Sequence, residues 1–309
     1  MFDITLLGCA ALLPLPERAL TAATLSCAGH TILFDCGEGT QTAARKAHVN
    51  VIGVDLIALT HYHGDHIFGL PGLLQTMFSM NRTQPLVIAG PKDIAAEMAP
   101  IMKLAGWLSF PVKLVELPED GARLCDLCPG WPVEARIRAF PTVHRVVSQG
   151  YEVTLSRAGR FLPERAKALN VPLKAWSALQ HGERVEVEGQ TVRPEDVLGA
   201  PRRGLKFVFS GDTAPCAPLE EAAKDADLFI CEGTYGDDAQ EALAADHGHM
   251  TFRQAAGIAQ RANARRLWLT HYSQMIKEPA EYIENARAAF PDAVCGEDGM
   301  RIALRFDEE

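Results

Sequence analysis

Thr60-His61-Tyr62-His63-Gly64-Asp65-His66 gathers three imidazoles and a carboxylate into the six residues from His61 to His66. It follows the apolar run Asp55-Leu56-Ile57-Ala58-Leu59, short and β-branched enough to read as a buried strand. The next stretch, Gly69-Leu70-Pro71-Gly72-Leu73-Leu74, reads as a turn opening a helix. The cluster therefore belongs on a strand-to-helix loop at the end of a sheet, where ligands are commonly held. Neutral imidazole and carboxylate suit Zn²⁺, with Mn²⁺ or Fe as alternatives. One tetrahedral site has no room for four ligands so close together and an open position as well. Two neighbouring metals do, with His61 and His63 on one and Asp65 and His66 on the other. A solvated polar loop has no use for this ligand density.

The chain has 309 residues, 48% of them hydrophobic, enough for a large core in one elaborated domain or two small ones. Phe2 to Leu7 reads as a strand with no charged leader before it, and no apolar run reaches 18 residues. The expectation is a cytoplasmic protein with no membrane span. The eight cysteines are scattered and read mostly as buried thiols. Cys125 and Cys128 form a C-x-x-C, but no second pair completes a zinc site. Net charge is −9, which argues against indiscriminate nucleic-acid binding over the whole surface. The charge is uneven, however. Arg157 to Lys206 holds ten basic and six acidic residues, a net +4, which leaves −13 for the remainder. That segment reads as a polyanion-binding arm, against the plainer alternative of a solvated excursion.

Along the chain, Ala23 to Ala28 and Thr31 to Phe34 are two apolar runs joined by a hairpin signal. The second ends in Asp35-Cys36-Gly37-Glu38-Gly39-Thr40-Gln41, a strand–turn–helix joint with Thr40 expected as the cap. Beside a metal site, Asp35 could support a ligand or face the substrate. Further strands are expected at 85–89, 112–117, 133–140 and 147–155, with helices at 70–80 and 91–104. Pro163 to Leu169 and Leu173 to His181 read as short helices of the arm, and Arg184 to Val192 as a small hairpin. Strands resume at 204–210, 228–231, 266–270 and 299–306, and Thr251 is expected to cap a helix over 252–262. The second half repeats the first in outline. His61, His63, Asp65, His66, His144, Asp212 and His271 all fall at the ends of expected strands, as a site shared along one edge of two packed sheets requires.

These residues carry a resemblance. HYHGDH followed by a lone histidine, an aspartate and a final histidine resembles the metallo-β-lactamase fold. Within it, the chain most resembles the ribonuclease Z family, the endonucleases that mature tRNA 3′ ends. The match rests on FDCGEGTQ at 34–41, THYHGDHIFGLPGLL at 60–74, His144 with Ser148-Gln149-Gly150-Tyr151, SGDT at 210–213, His249-Met250-Thr251 and LTHYS at 269–273. The resemblance implies an α/β fold, the αββα sandwich, as one domain over 1–309 with an inserted basic arm at about 157–203. It implies two Zn²⁺ per chain, with His61, His63 and His144 on the first, Asp65, His66 and His271 on the second, and Asp212 bridging both. Asp65, His249 and Glu232 are the catalytic residues it implies, with His249 assisting proton transfer. Precursor tRNA is the implied substrate, and a homodimer in which one subunit's arm clamps tRNA for the other is the implied assembly. The chain departs from the family at three places: Val171-Pro172-Leu173-Lys174-Ala175-Trp176 where many members carry Gly-Pro, Cys231 where a histidine usually precedes the acid, and Met250 where serine is common. The alternative reading is a dinuclear hydrolase of a small phosphodiester, sulfate ester or lactone, with the arm used for dimerisation or as a lid.

Overall fold

The computed structural model describes residues 1–307. The N-terminal half lays down β1 (Phe2–Gly8), β2 (Ala22–Cys27), β3 (His30–Phe34), β4 (Val54–Ala58), β5 (Leu86–Ala89) and β6 (Val112–Val115). β7 (Ala122–Arg123), β8 (Ala135–Pro141) and β9 (Gln149–Arg157) follow, then the hairpin β10 (Val185–Val187) and β11 (Gln190–Val192). β12 (Arg202–Phe209), β13 (Leu228–Glu232), β14 (Leu267–Thr270), β15 (Ala293–Cys295) and β16 (Arg301–Leu304) complete the strands. They form two seven-stranded sheets, ordered β16-β1-β2-β3-β4-β5-β6 and β15-β14-β13-β12-β9-β8-β7. β3 to β6 run parallel in the first, and β12 to β15 run parallel in the second.

The two sheets meet through large apolar side chains. Phe34 of β3 packs its ring 5.3 Å from Phe207, 5.5 Å from Phe209 and 5.9 Å from Tyr151, all three on strands of the other sheet. The other face of the first sheet is covered by the helices Thr40–Lys46, Leu70–Ser79 and Ile94–Ala105. Leu73, Leu74, Met77 and Met98 bury themselves there against Leu33, Ile57 and Ile88. Of the three residues whose helical spacing reads as core, Met77 is buried and Phe78 packs partly against the cluster, but Met80, at the helix end, is 59% exposed. Helix Phe252–Arg261 packs on the second sheet and opens with Thr251, whose hydroxyl accepts from Gln254 N–H while the Gln254 side chain accepts from Thr251 N–H.

Two glycines explain why DCGEGT and GLPG recur beside the metal loop. A Cβ on Gly37 would lie 1.9 Å from the carbonyl oxygen of Asp65, and one on Gly69 would lie 2.1 Å from that of Gly37. Three backbone segments touch there without side chains between them, and Cys36 N–H donates to His66 O at 2.7 Å. The expected cap at Thr40 is corrected. Gly39 is the N-cap, at φ 83°, and Thr40 is already helical, its hydroxyl donating back to Gly37 O at 2.8 Å. The left-handed turn needed here suits glycine and not threonine. Helices Ala217–Ala223, Glu241–His247 and Ile283–Arg287 and strand β15 fall outside the elements read from the sequence.

Residues Leu155–Leu205, with the tail from Phe306, cluster as a second compact unit. It has its own core: Ala166, Val171, Leu179, Val187, Val192 and Val197, with the Phe161 and Trp176 rings 4.9 Å apart. The expected helix over 173–181 is a 3₁₀ turn at Leu173–Ala175 running into a helix at Trp176–Gln180. The hairpin turns at Glu188-Gly189, both at positive φ, as a tight two-residue connection demands. Val171 and Trp176, in the stretch where the resemblance leads one to expect Gly-Pro, are packing residues of this core. All eight cysteines are free thiols. Burial pushes Cys128 up to about 12, and its Sγ lies 3.5 Å from Asp55 O. No helix among the described residues is long and apolar enough to cross a membrane.

Candidate metal centre

The ligand candidates come from consecutive strand ends of both sheets. β4 delivers His61, His63, Asp65 and His66, the last two on the short helix Gly64–Ile67. His144 lies between β8 and β9, Asp212 follows β12, and His271 follows β14. Ligand atoms of His61, His63, His144 and Asp212 lie within 4.8 Å of one another, and those of Asp65, His66 and His271 do likewise. Asp212 reaches both groups. Its Oδ2 is 3.7 Å from His61 Nε2 and 3.4 Å from His66 Nε2, and its Oδ1 is 3.2 Å from His271 Nε2.

Hydrogen bonds on the far side of the rings fix which nitrogen is free. His66 Nδ1–H donates to Asp35 Oδ2 at 2.8 Å, and His144 Nδ1–H to Gly248 O at 2.9 Å. The Thr60 hydroxyl donates to Asp35 and so accepts from His61 Nδ1 at 3.0 Å. The Thr234 hydroxyl donates to Glu232 and so accepts from His271 Nδ1 at 3.0 Å. With Nδ1 so engaged, all four Nε2 atoms converge around Asp212 as the nitrogens that would bind a metal in the neutral ring. His66 Nε2, His271 Nε2 and Asp212 Oδ1 are buried with no hydrogen bond, misaligned for one despite their short separations. Orphaned acceptors are costly in a protein interior, and a divalent cation satisfies all three at once. The residues fit a divalent metal site.

Charge follows the same arrangement. Burial resists ionisation of Asp212, but His271, His66 and His61 outweigh it and hold the carboxyl well below the usual range. Asp65 is lowered in the same way against burial, by His271 and His66, and also accepts from Leu12 N–H at 2.9 Å. Burial pulls His61, His63 and His144 down towards neutral imidazole. His66 is raised against burial by Asp212 and Asp35 in the metal-free protein.

His249 stands beside this set, its ring 4.9 Å from that of His144 and stacked 5.4 Å from that of His271. Its Nδ1 meets Glu232 Oε1 at 2.7 Å, and in the metal-free protein Glu232 overcomes burial to raise it to about 9. Glu232 is itself fixed by Thr213 N–H at 2.8 Å, Thr234 N–H at 3.1 Å and the Thr234 hydroxyl at 2.8 Å. A nitrogen of His249 also lies within 4.8 Å of ligand atoms of Asp212 and His271. With Nδ1 held by Glu232, its Nε2 is the nitrogen left for other work. Cys231 Sγ lies 3.9 Å from Met250 Sδ, both buried, so the position before the acid and the one after His249 share an apolar sulfur contact.

The groups open on a cleft of about 690 Å³, lined by His63, Asp65, His144, Asp212, His249 and His271. Arg145, Tyr235 and His247 line it too, with Tyr235 Oη 2.6 Å from His247 Nδ1. The sequence reading assigned no role to these three, nor to the hydroxyls of Thr60 and Thr234. A signal for the threonines exists, because Leu59-Thr60-His61-Tyr62 recurs as Leu269-Thr270-His271-Tyr272. It marks the repeated strand end but picks out Thr270, not Thr234, as the partner of Thr60.

Comparison with known proteins places the site in a family. Residues 28–78 match the model of the metallo-beta-lactamase superfamily, and residues 141–272 match that of the beta-lactamase superfamily domain. Ribonuclease Z of Lachnospira eligens is 40% identical over 309 residues, and that of Agathobacter rectalis is 41% identical over 309, each pair covering 100% of both chains. Among solved structures, the short form of human tRNase Z matches with a TM-score of 0.69 and 28% identity, over 98% of this chain and 100% of that one.

Proposed function

This chain belongs to the ribonuclease Z family of the metallo-β-lactamase fold, and from that premise we propose that it is a zinc-dependent endoribonuclease acting at the 3′ end of precursor tRNA. It hydrolyses one phosphodiester, leaving a 3′-hydroxyl on the tRNA and a 5′-phosphate on the trailer. The observation that carries this reading is the gathering of seven metal-binding side chains and the His249–Glu232 pair around one cleft, in a chain that matches ribonuclease Z from end to end.

His61, His63 and His144 would hold one zinc ion and Asp65, His66 and His271 the other, with Asp212 shared. Bound there, the ions would offset charge on the phosphoryl oxygens and make a water acidic enough to attack near neutral pH. The chain does the rest. Asp212 fixes the spacing of the two ligand groups, while Asp35, Thr60, Thr234 and the Gly248 carbonyl hold each ring in the binding tautomer. Glu232 keeps His249 protonated and aimed. As the P–O3′ bond breaks, His249 gives a proton to the leaving 3′-oxygen, and the attacking water's oxygen stays on the trailer phosphate.

The chain acts as one metallo-β-lactamase-fold domain, with 157–203 serving as an arm whose net +3 contacts distant phosphates by shape and not by sequence. A cytoplasmic homodimer, each arm serving the partner's site, is the working assembly. The test is incubation with a trailer-bearing precursor tRNA beside a small phosphodiester. Cleavage of the RNA at the trailer junction supports the reading. Turnover of the small diester alone, with the RNA left intact, replaces it with that of a small-molecule phosphodiesterase.

A further inference from the structure

The loop after β1 carries the least comfortable backbone at the site. Leu12 sits at φ 64°, and Leu13 N–H donates to Ala11 O at 2.7 Å, so Leu12 is the centre of a three-residue turn of the strained, positive-φ kind. Glycine would take this conformation freely, but the chain puts leucine there. The turn is held from outside. Ala11 N–H donates to Tyr272 O at 2.9 Å, and Leu12 N–H to Asp65 Oδ2 at 2.9 Å. Strain maintained by contacts to one metal-binding residue and to the neighbour of another calls for a reason.

The side chains supply one. Leu12 is 63% exposed, Leu13 48% and Phe68 67%, and all three line the cleft on the side of His63 and Asp65. Phe68 lies across Gly64, where a Cβ would meet its ring at 2.4 Å, so the ring rests on the metal loop with its other face open. The same cleft is also lined by polar groups, Arg145 and the Tyr235–His247 pair among them. A cleft lined by both exposed apolar side chains and cationic, hydrogen-bonding groups fits a ligand that carries both kinds of surface. An RNA strand is such a ligand, since the base faces are its apolar surface and the phosphates its charged one.

We propose that Leu12, Leu13 and Phe68 form a shelf that seats the nucleobase next to the scissile phosphate, with the strained turn holding that shelf in register with Asp65. This rests on the RNA-cleaving reading above. It assigns substrate positioning to residues that touch no metal and that the ligand pattern does not include.

The test is a cycle of variants and substrates. Phe68→Ala, Leu13→Ala and Leu12→Gly are each compared with wild type on a precursor tRNA and on two copies carrying an abasic nucleotide just before or just after the cut. Stacking of a base on such a surface supports about a tenfold effect. Each variant should lose about tenfold in kcat/KM on the intact RNA. Wild type should lose about tenfold on one abasic RNA, and the variants should lose no more on that RNA than on the intact one. Leu12→Gly should melt no lower than wild type, since it relieves the turn. Losses that multiply to about a hundredfold, or no loss on either abasic RNA, would overturn the shelf. A base-bearing and a base-less p-nitrophenyl phosphodiester give the same comparison without tRNA. A protein that fails to cut precursor tRNA yet prefers the base-bearing diester through Phe68 keeps the shelf and loses the tRNA reading.

Discussion

Asp35→Asn should weaken both metal sites, the one with His66 directly and the one with His61 through Thr60. Asp35 is fully buried at φ 56°, a conformation asparagine tolerates, so the backbone need not move. Its Oδ1 accepts from Thr60 N–H at 2.7 Å, and its Oδ2 accepts from the Thr60 hydroxyl and from His66 Nδ1–H, each at 2.8 Å. An amide has one acceptor oxygen. Its NH₂ cannot face the Thr60 N–H, donor to donor, so it takes the Oδ2 position. His66 must then accept at Nδ1 and carry its proton on Nε2, the atom that points at Asp212. A metal binding there must first reverse that tautomer. Removing such a partner of a ligating histidine typically costs 10–100-fold in affinity, or about 1.4–2.7 kcal/mol. The assay is zinc titration of the chelated protein against a chromophoric competitor, with melting of the metal-free protein as the control. The site with His66 should weaken by about 10–100-fold, and the site with His61 should weaken too, because the Thr60 hydroxyl loses the Oδ2 acceptor that made it accept from His61 Nδ1. Two wild-type sites in the variant would refute the tautomer argument.

Asp212→Ala should lose both metals, since it removes the one side chain shared by the two groups; metal analysis showing full loading would remove Asp212 from the bridging role. His249→Ala should slow RNA cleavage by about 10²–10⁴-fold and a p-nitrophenyl diester far less, because the phenolate leaves without a proton; equal losses, or loss of a metal, would end the general-acid assignment. Deleting Gly159 to Arg202 should abolish precursor-tRNA cleavage while a small diester is still hydrolysed, and wild-type RNA binding should fall steeply with salt; a folded, shortened protein that processes tRNA normally would show that the arm is no clamp. In metal-free protein, His249 is raised from about 6.5 unfolded to about 9, so its stabilisation is complete below the lower value and lost as pH climbs through the higher one. Melting of the chelated protein should therefore decline across that window, and Glu232→Gln should flatten the decline.

What the sequence made legible follows from how local each signal is. The cluster at 61–66 is readable because four ligands lie within six residues and flank a strand. His144, Asp212 and His271 are single residues, each separated from it by many tens of residues. Only their position at strand ends, and the family pattern, suggest that they share its site. Thr60, Thr234 and the Gly248 carbonyl, which choose the tautomers, look like any hydroxyl or carbonyl until the tertiary fold brings them to a ring. The contact between Cys231 and Met250 is hidden for the same reason, although each position stands out alone. Helices Ala217–Ala223 and Ile283–Arg287, of 7 and 5 residues, are too short to establish a period. The cap at 39–40 was misplaced by one residue because threonine and glycine both signal a helix start, and only the backbone angle separates them.

The most direct test of the account is cleavage of an end-labelled precursor tRNA by chelated protein, with zinc returned stepwise and both new ends mapped. The account predicts no cut without zinc, and cleavage that reaches full rate only at about two equivalents per chain, set by the seven ligands around Asp212. It predicts a 3′-hydroxyl on the tRNA and a 5′-phosphate on the trailer. Cleavage by the fully chelated protein would contradict it, and so would a 2′,3′-cyclic phosphate on the tRNA, which means that the ribose 2′-hydroxyl attacks in place of water.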